Sequence, residues 1–240
     1  MAFGTDRRYM SRAQAEAAGI DVGLRQYMLR VYNYMASGLA LTGIVALMVA
    51  ASPGALHAIY QTPLRWVVMF APLALVFFLG ARIDRMQAST AQALFWVYSA
   101  LMGLSLAFIF VVYTGESIAR VFFITGAAFA GLSLYGYTTR RDLSAFGTFL
   151  IMGLVGILIA GLVNVFLHST QLQFVISAAG VLVFAGLTAW DTQRIKEMYW
   201  ESDGYEIAAK KAVMGALQLY LDFINLFMFM LQFLGVRRDQ

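Results

Sequence analysis

Cysteine is absent from this 240-residue chain, which excludes a disulfide framework and any Cys-ligated metal site. Charge is nearly as scarce. Only 12% of residues are Asp, Glu, Lys or Arg, against roughly 25% in soluble domains. With 61% hydrophobic residues and a mean hydropathy of +0.72, the chain lacks the polar surface that an ordinary soluble domain needs. The same figures exclude disorder. No tandem repeat or low-complexity tract stands out, and residues 1–30 hold no apolar run that could serve as a signal-peptide core.

What the chain has in abundance is long apolar runs. Seven of them, at 31–52, 64–81, 90–113, 117–138, 146–167, 173–190 and 212–235, are long enough to cross a ~30 Å hydrocarbon layer as helices. The connections are short. They carry turn residues such as Ser52-Pro53-Gly54, Tyr113-Thr114-Gly115 and Ser202-Asp203-Gly204. The expected fold is therefore an all-α polytopic membrane protein, with a hydrophilic cytoplasmic tail at 1–30 and a single seven-span membrane domain at 31–240.

The net charge of +4 would point a soluble protein toward nucleic acid, but here the cations report topology instead. Thirteen of the 17 Lys and Arg residues fall on one side of a seven-crossing path: Arg7, Arg8, Arg12, Arg25, Arg30, Arg82, Arg85, Arg140, Arg141, Arg194, Lys196, Lys210 and Lys211. Only Arg65, Arg120, Arg237 and Arg238 fall on the other. By the positive-inside rule the N-terminus is cytoplasmic and the C-terminus external. Small-residue pairs, Gly103-x-x-x-Ala107 and Ala127-x-x-x-Gly131, suit close helix packing. Trp66, Trp96, Trp190 and Trp200 lie near span ends, as interfacial anchors do.

Eleven of the 13 acids fall in tails or loops, and two do not. Asp191 closes span 6 in Trp190-Asp191-Thr192-Gln193-Arg194. Asp222 lies inside span 7, about 15 Å from its entry at Ala212. A carboxylate at that depth costs about 2.5–3.5 kcal/mol, so it must be protonated, paired or wetted. Gly215, Gln218, Asp222, Asn225 and Gln232 form one helical stripe, which is expected to face the bundle interior. The stripe can be interhelical hydrogen-bond glue with a neutral Asp222. Alternatively, helix tilt closes the ~5–10 Å height offset expected between Asp191 and Asp222, and the two share a proton as a coupled pair. Arg82, at the end of span 2, is placed to grip Asp191; it and Arg85 can equally be positive-inside anchors.

Trp190-Asp191-Thr192-Gln193-Arg194-Ile195, followed by Ala216-Leu217-Gln218-Leu219-Tyr220-Leu221-Asp222-Phe223-Ile224-Asn225-Leu226-Phe227, resembles the signature of the Bax inhibitor-1/YccA-like (transmembrane Bax inhibitor motif) family. The Arg-containing end of span 2 and the Asp142-containing loop extend the resemblance over most of the chain after residue 30. It implies a bacterial-type member in the inner (cytoplasmic) membrane, with the last helix central among the other six. It further implies a pH-sensitive calcium leak, with Asp191 and Asp222 as the proton-sensing pair and Arg82, or Arg85 after a small gap, as the latch. Some members carry an intramembrane glutamate in span 2, where this chain has Phe70, Ala71 and Pro72.

The resemblance thus implies a cation leak in which Asp191 and Asp222 hold calcium weakly. Ca²⁺ prefers six to eight oxygens, so Gln218, Asn225, backbone carbonyls or water must complete the shell. No resident cofactor is expected. The alternative is a non-conducting regulator that binds a membrane-bound protease or other membrane proteins, with the tail as its contact. An enzyme is not expected: the intramembrane aspartyl proteases carry Gly-x-Gly-Asp, and Leu219-Tyr220-Leu221 precedes Asp222. Nor does a retinal protein fit, because Lys210 and Lys211 lie at the entrance of span 7 rather than at its middle. His57 and His168 are solvated loop residues on the external side.

Overall fold

The computed structural model describes residues 21–238. Its helices are α1 (Val22–Ala50), α2 (Pro53–Tyr60), α3 (Leu64–Arg82), α4 (Ala88–Leu106), α5 (Ile109–Val112), α6 (Gly115–Thr138), α7 (Ser144–Leu167), α8 (Thr170–Glu197) and α9 (Tyr205–Leu234), with a 3₁₀ turn at Ile83–Arg85. Seven stretches are long and apolar enough to span a membrane, α4 and α5 together making one of them. The described residues contain no strand, only an isolated bridge between Tyr113 and Arg237.

Several helices overrun the apolar segments. The first span begins at Val22 rather than at 31, because the Asp21 carboxylate caps it by accepting a hydrogen bond from the Leu24 amide at 2.8 Å. Residues 22–30 are therefore helix and not tail; residues 1–20 lie outside the described residues. Similarly, α8 runs to Glu197 and α9 starts at Tyr205, since a helix need not stop where the hydrocarbon does. Ser52-Pro53 does not simply turn the chain. Ser52 caps the short helix α2, with Pro53 in its first turn.

Two backbone defects inside the spans are both repaired by side chains. Pro72 interrupts α3 and frees the carbonyl of Val68, which accepts a hydrogen bond from Ser105 Oγ at 2.6 Å. Between α4 and α5 the helix breaks at Ala107–Phe108. There the Tyr60 hydroxyl donates to the Leu104 carbonyl at 2.5 Å and accepts from the Phe108 amide at 3.1 Å.

The last helix, α9, is by far the most buried span. It packs mainly on α8, α1, α6 and α4, so four of the other six spans form its sheath; α3 is held chiefly by α4 and α7 by α8. Gly103 lets α4 approach the Thr42 carbonyl and Val45 of α1, where a methyl group would meet atoms at 2.7 Å. The second small-residue pair has no such role: Ala127 and Gly131 are exposed, and a Cβ on Gly131 would meet nothing within 4 Å. At the end of the bundle opposite the lysines, residues 235–238 cross the α5–α6 turn. The Thr114 amide donates to the Val236 carbonyl at 3.1 Å, and the Val236 amide donates to Ser117 Oγ at 2.9 Å.

Candidate functional site

The end of the bundle that carries Arg82, Arg85, Arg140, Arg141, Arg194, Lys196, Lys210 and Lys211 is its basic end. Here α9 projects beyond α8, and its first two turns are anchored from the side. Lys211 Nζ bonds Asp203 Oδ2 at 2.5 Å and the Met198 carbonyl at 2.9 Å. Glu206 accepts from the Ala88 amide at 2.5 Å, capping α4. Lys210 Nζ donates to the Asp84 carbonyl at 3.3 Å.

The projection of α9 sets the register of the two acids. Asp191 lies well before the end of α8, and Gln218, four residues ahead of Asp222, donates from Nε2 to Asp191 Oδ1 at 2.5 Å. Asp191 therefore sits level with the turn between Gln218 and Asp222, and the two carboxyl groups lie close enough for each to bear on the other's charge. The expected height offset is absorbed by the overrun of both helices. Asp191 is 3% and Asp222 4% exposed, and Asp222 Oδ2 has no amide, hydroxyl or cation as partner among the described residues. Arg194, one turn beyond Asp191, bears on it as a cation; its guanidinium lies 5.5 Å over the Trp190 ring.

Arg82 does not reach the pair. It is exposed at the end of α3, as is Arg85, and neither forms an ion pair with Asp191. A cleft of about 440 Å³, lined by Phe77, Gly80, Leu217 and Gln218 among others, separates this part of α3 from α9.

The stripe on α9 is divided rather than continuous. Asn225 turns back to bond the Leu221 carbonyl at 2.8 Å. Gln232 joins a separate amide cluster at the far end, accepting from Gln173 Nε2 at 2.8 Å. Between them Phe229 stacks on Phe184, their centroids 5.7 Å apart, and presses on Gly180, where a Cβ would meet the ring at 2.5 Å. His57 and His168 are exposed at that far end. His168 is the left-handed C-cap of α7, with φ of 50°. No group of three His, Cys, Asp or Glu side chains gathers among the described residues.

The residues around Asp191 that sequence reasoning missed are polar neighbours pointing elsewhere. Thr192 Oγ1 contacts Ser133 Oγ at 2.9 Å, and Ser133 in turn contacts the Tyr32 hydroxyl at 2.6 Å, linking α8, α6 and α1. Gln193 clamps the loop before α7, accepting from the Leu143 amide at 2.9 Å and donating to the Arg141 carbonyl at 2.8 Å. Four consecutive polar residues after Trp190 were the available signal, since on a helix they must face several neighbours at once. In that loop the Ser144 hydroxyl and amide hold the Asp142 carboxyl below the usual carboxylate range.

These features define a class: a polytopic seven-helix membrane protein whose central helix meets its neighbour through two buried acids. The family described as inhibitor of apoptosis-promoting Bax1 matches residues 24–239. The chain is 52% identical over 221 residues to an uncharacterized protein of Rickettsia prowazekii, covering 91% of this chain and 93% of that one. It is 46% identical over 219 residues to the inner membrane protein YbhL of Escherichia coli K12, covering 90% and 94%. To an uncharacterized protein of Caulobacter vibrioides it is 43% identical over 246 residues, covering 98% of each. The chain belongs to the Bax inhibitor family.

Proposed function

We propose that this protein is a pH-sensitive calcium (cation) leak of the bacterial inner membrane, its basic end in the cytoplasm, gated by protonation of the Asp191–Asp222 pair. The observation that carries the reading is the placing of two carboxyl groups, each almost wholly buried, at one level on the central helix and its main partner, with Gln218 of the one bonded to Asp191 of the other. Two acids this close at low dielectric cannot both ionise cheaply. On this reading the proton that relieves the pair is held between the two acids, and Asp222 Oδ2, which has no hydrogen-bond partner among the described residues, is free to take it.

The open cleft between α3 and α9 supports a gate in which α3 moves. When α3 closes over Gln218, Arg82 approaches an ionised Asp191 and latches it; protonation of Asp191 releases the arginine and leaves the cleft open. Calcium binding is weak on this reading. The pair, Gln218 Oε1 and Asn225 Oδ1 offer fewer oxygens than Ca²⁺ prefers, and water completes the shell. Catalysis has no part in it.

The test is calcium flux into vesicles reconstituted with the purified full chain. Flux should rise on acidification, Asp191→Asn should hold it at its acid level at all pH values, and Arg82→Gln should raise it at neutral pH. Wild-type flux that ignores pH, together with unchanged flux in Asp191→Asn and Asp222→Asn, ends the reading.

A further inference from the structure

A cavity larger than the α3–α9 cleft lies away from the acid pair. Between α1 and α6 a cleft of about 700 Å³ opens sideways, bounded by Leu29, Ala36, Gly126, Phe129 and Leu134, with Arg25 at its basic end. The two helices do not pack closely along it. What bridges them is the Tyr32 hydroxyl, bonded to Ser133 at 2.6 Å on the cleft floor. Its walls are apolar and outward-facing, with Leu29 50% and Leu134 63% exposed.

Both helices are membrane spans, so this cleft opens onto lipid. An apolar gap of this kind gains nothing from water and gains dispersion contacts from a hydrocarbon chain. The length fits one leaflet: the eleven residues from Arg25 to Ala36 rise about 16 Å, half of a ~30 Å hydrocarbon core. The charge fits an anionic headgroup. Arg25 has no carboxylate among the described residues within ion-pair distance, and the Asp21 carboxylate beside it is engaged with the Leu24 amide. Arg30 of the same helix is instead committed to the Tyr205 ring, 5.5 Å from its centroid.

We propose that the α1–α6 cleft is a binding site for one anionic phospholipid of the leaflet at the basic end, its acyl chain seated between Leu29, Gly126 and Phe129 and its phosphate held by Arg25. A planar guanidinium matches phosphate oxygens bidentately. The site is independent of the acid pair and of any conduction, and the test measures lipid alone.

The full chain is reconstituted in vesicles of equimolar phosphatidylglycerol and phosphatidylcholine, extracted in mild detergent, and its retained lipid counted by mass spectrometry. Wild type should retain phosphatidylglycerol in preference. Gly126→Phe should lose most of it, because Gly126 lines the cleft and a Cβ there meets no protein atom within 4 Å, so the ring has room to enter the cleft. Ala130→Leu, a smaller intrusion into the same cleft, serves if the Phe variant does not fold. Arg25→Gln should reduce the phosphatidylglycerol preference about fivefold, the loss of one cation at the bilayer surface. A diazirine-tailed phosphatidylglycerol should label residues of α1 and α6 lining the cleft. Equal retention of the two lipids by wild type, undiminished retention in both cleft-filling variants, or labelling confined to other helices overturns the proposal.

Discussion

Two faces of α9 each bury polar groups deep in the bundle, and they are built differently. On one face the Tyr220 hydroxyl meets Thr42 Oγ1 at 2.6 Å, and Thr42 also lies 2.9 Å from the Gly38 carbonyl and 2.8 Å from that of Ser99. Every group there is neutral and has a partner, so the contact fastens α1, α4 and α9 together. Tyr98 and Phe95 pack edge-on against the Tyr220 ring, at 5.5 and 6.1 Å, and seal it. On the other face Asp222 faces Asp191, a like group, and one of its oxygens has no hydrogen-bond partner among the described residues. A satisfied neutral network is what packing alone selects; a buried pair of acids costs stability that an apolar pair would not. The difference separates a joint from a site.

The largest effect that would break this comparison lies with the acids. Asp222→Asn and Asp191→Asn should each abolish the pH dependence of calcium flux, which for a one-proton switch changes by up to about tenfold per pH unit. If Asp222→Asn leaves the wild-type profile intact, the pair is as structural as the tyrosine. Next comes Thr42→Val, which strands the buried Tyr220 hydroxyl and should lower unfolding stability by about 1–2 kcal/mol, read by denaturation in micelles. Its flux profile should keep the wild-type pH response; a shifted profile would make the two faces one coupled network. Tyr220→Phe removes the hydroxyl itself and should cost less, about 0.6–1 kcal/mol.

The smallest effect is at the loop before α7. Because Asp142 is held below the usual carboxylate range, its charged form stabilises the fold at neutral pH, and that contribution is lost as pH falls through its folded-state value. Asp142→Asn should therefore lower the melting temperature slightly at neutral pH and make no difference in strong acid, with the acid-pair flux profile unmoved. A difference that persists at low pH would show that the side chain acts there by shape and not by charge.

Much of this arrangement was legible in residue order. Asp222 and Gln218 were found because a carboxylate and an amide one turn apart are conspicuous in an apolar helix. Less legible were Tyr32, Ser133 and Thr192: single hydroxyls are common in membrane helices, and nothing in their spacing says which helix they will meet. Arg82 illustrates the reverse. It ends its span on the same side as Asp191, but proximity along the membrane normal does not set lateral distance, and a cleft lies between its helix and α9.

Composition alone fixes the class of this protein, because 12% charge cannot cover a soluble fold, and long apolar runs mark out seven spans and two acids out of place. Both follow from the solvent that each residue can tolerate, which is a local property. It took the packed bundle to establish that α9 overruns α8 far enough to bring Asp191 level with the turn between Gln218 and Asp222, that Phe229 on Gly180 divides the polar stripe, and that α1 and α6 part to leave a cleft beneath Arg25. Those depend on how helices slide, tilt and separate against one another. Such displacements are set by the side chains of the neighbouring helix, which the sequence of any one span does not contain.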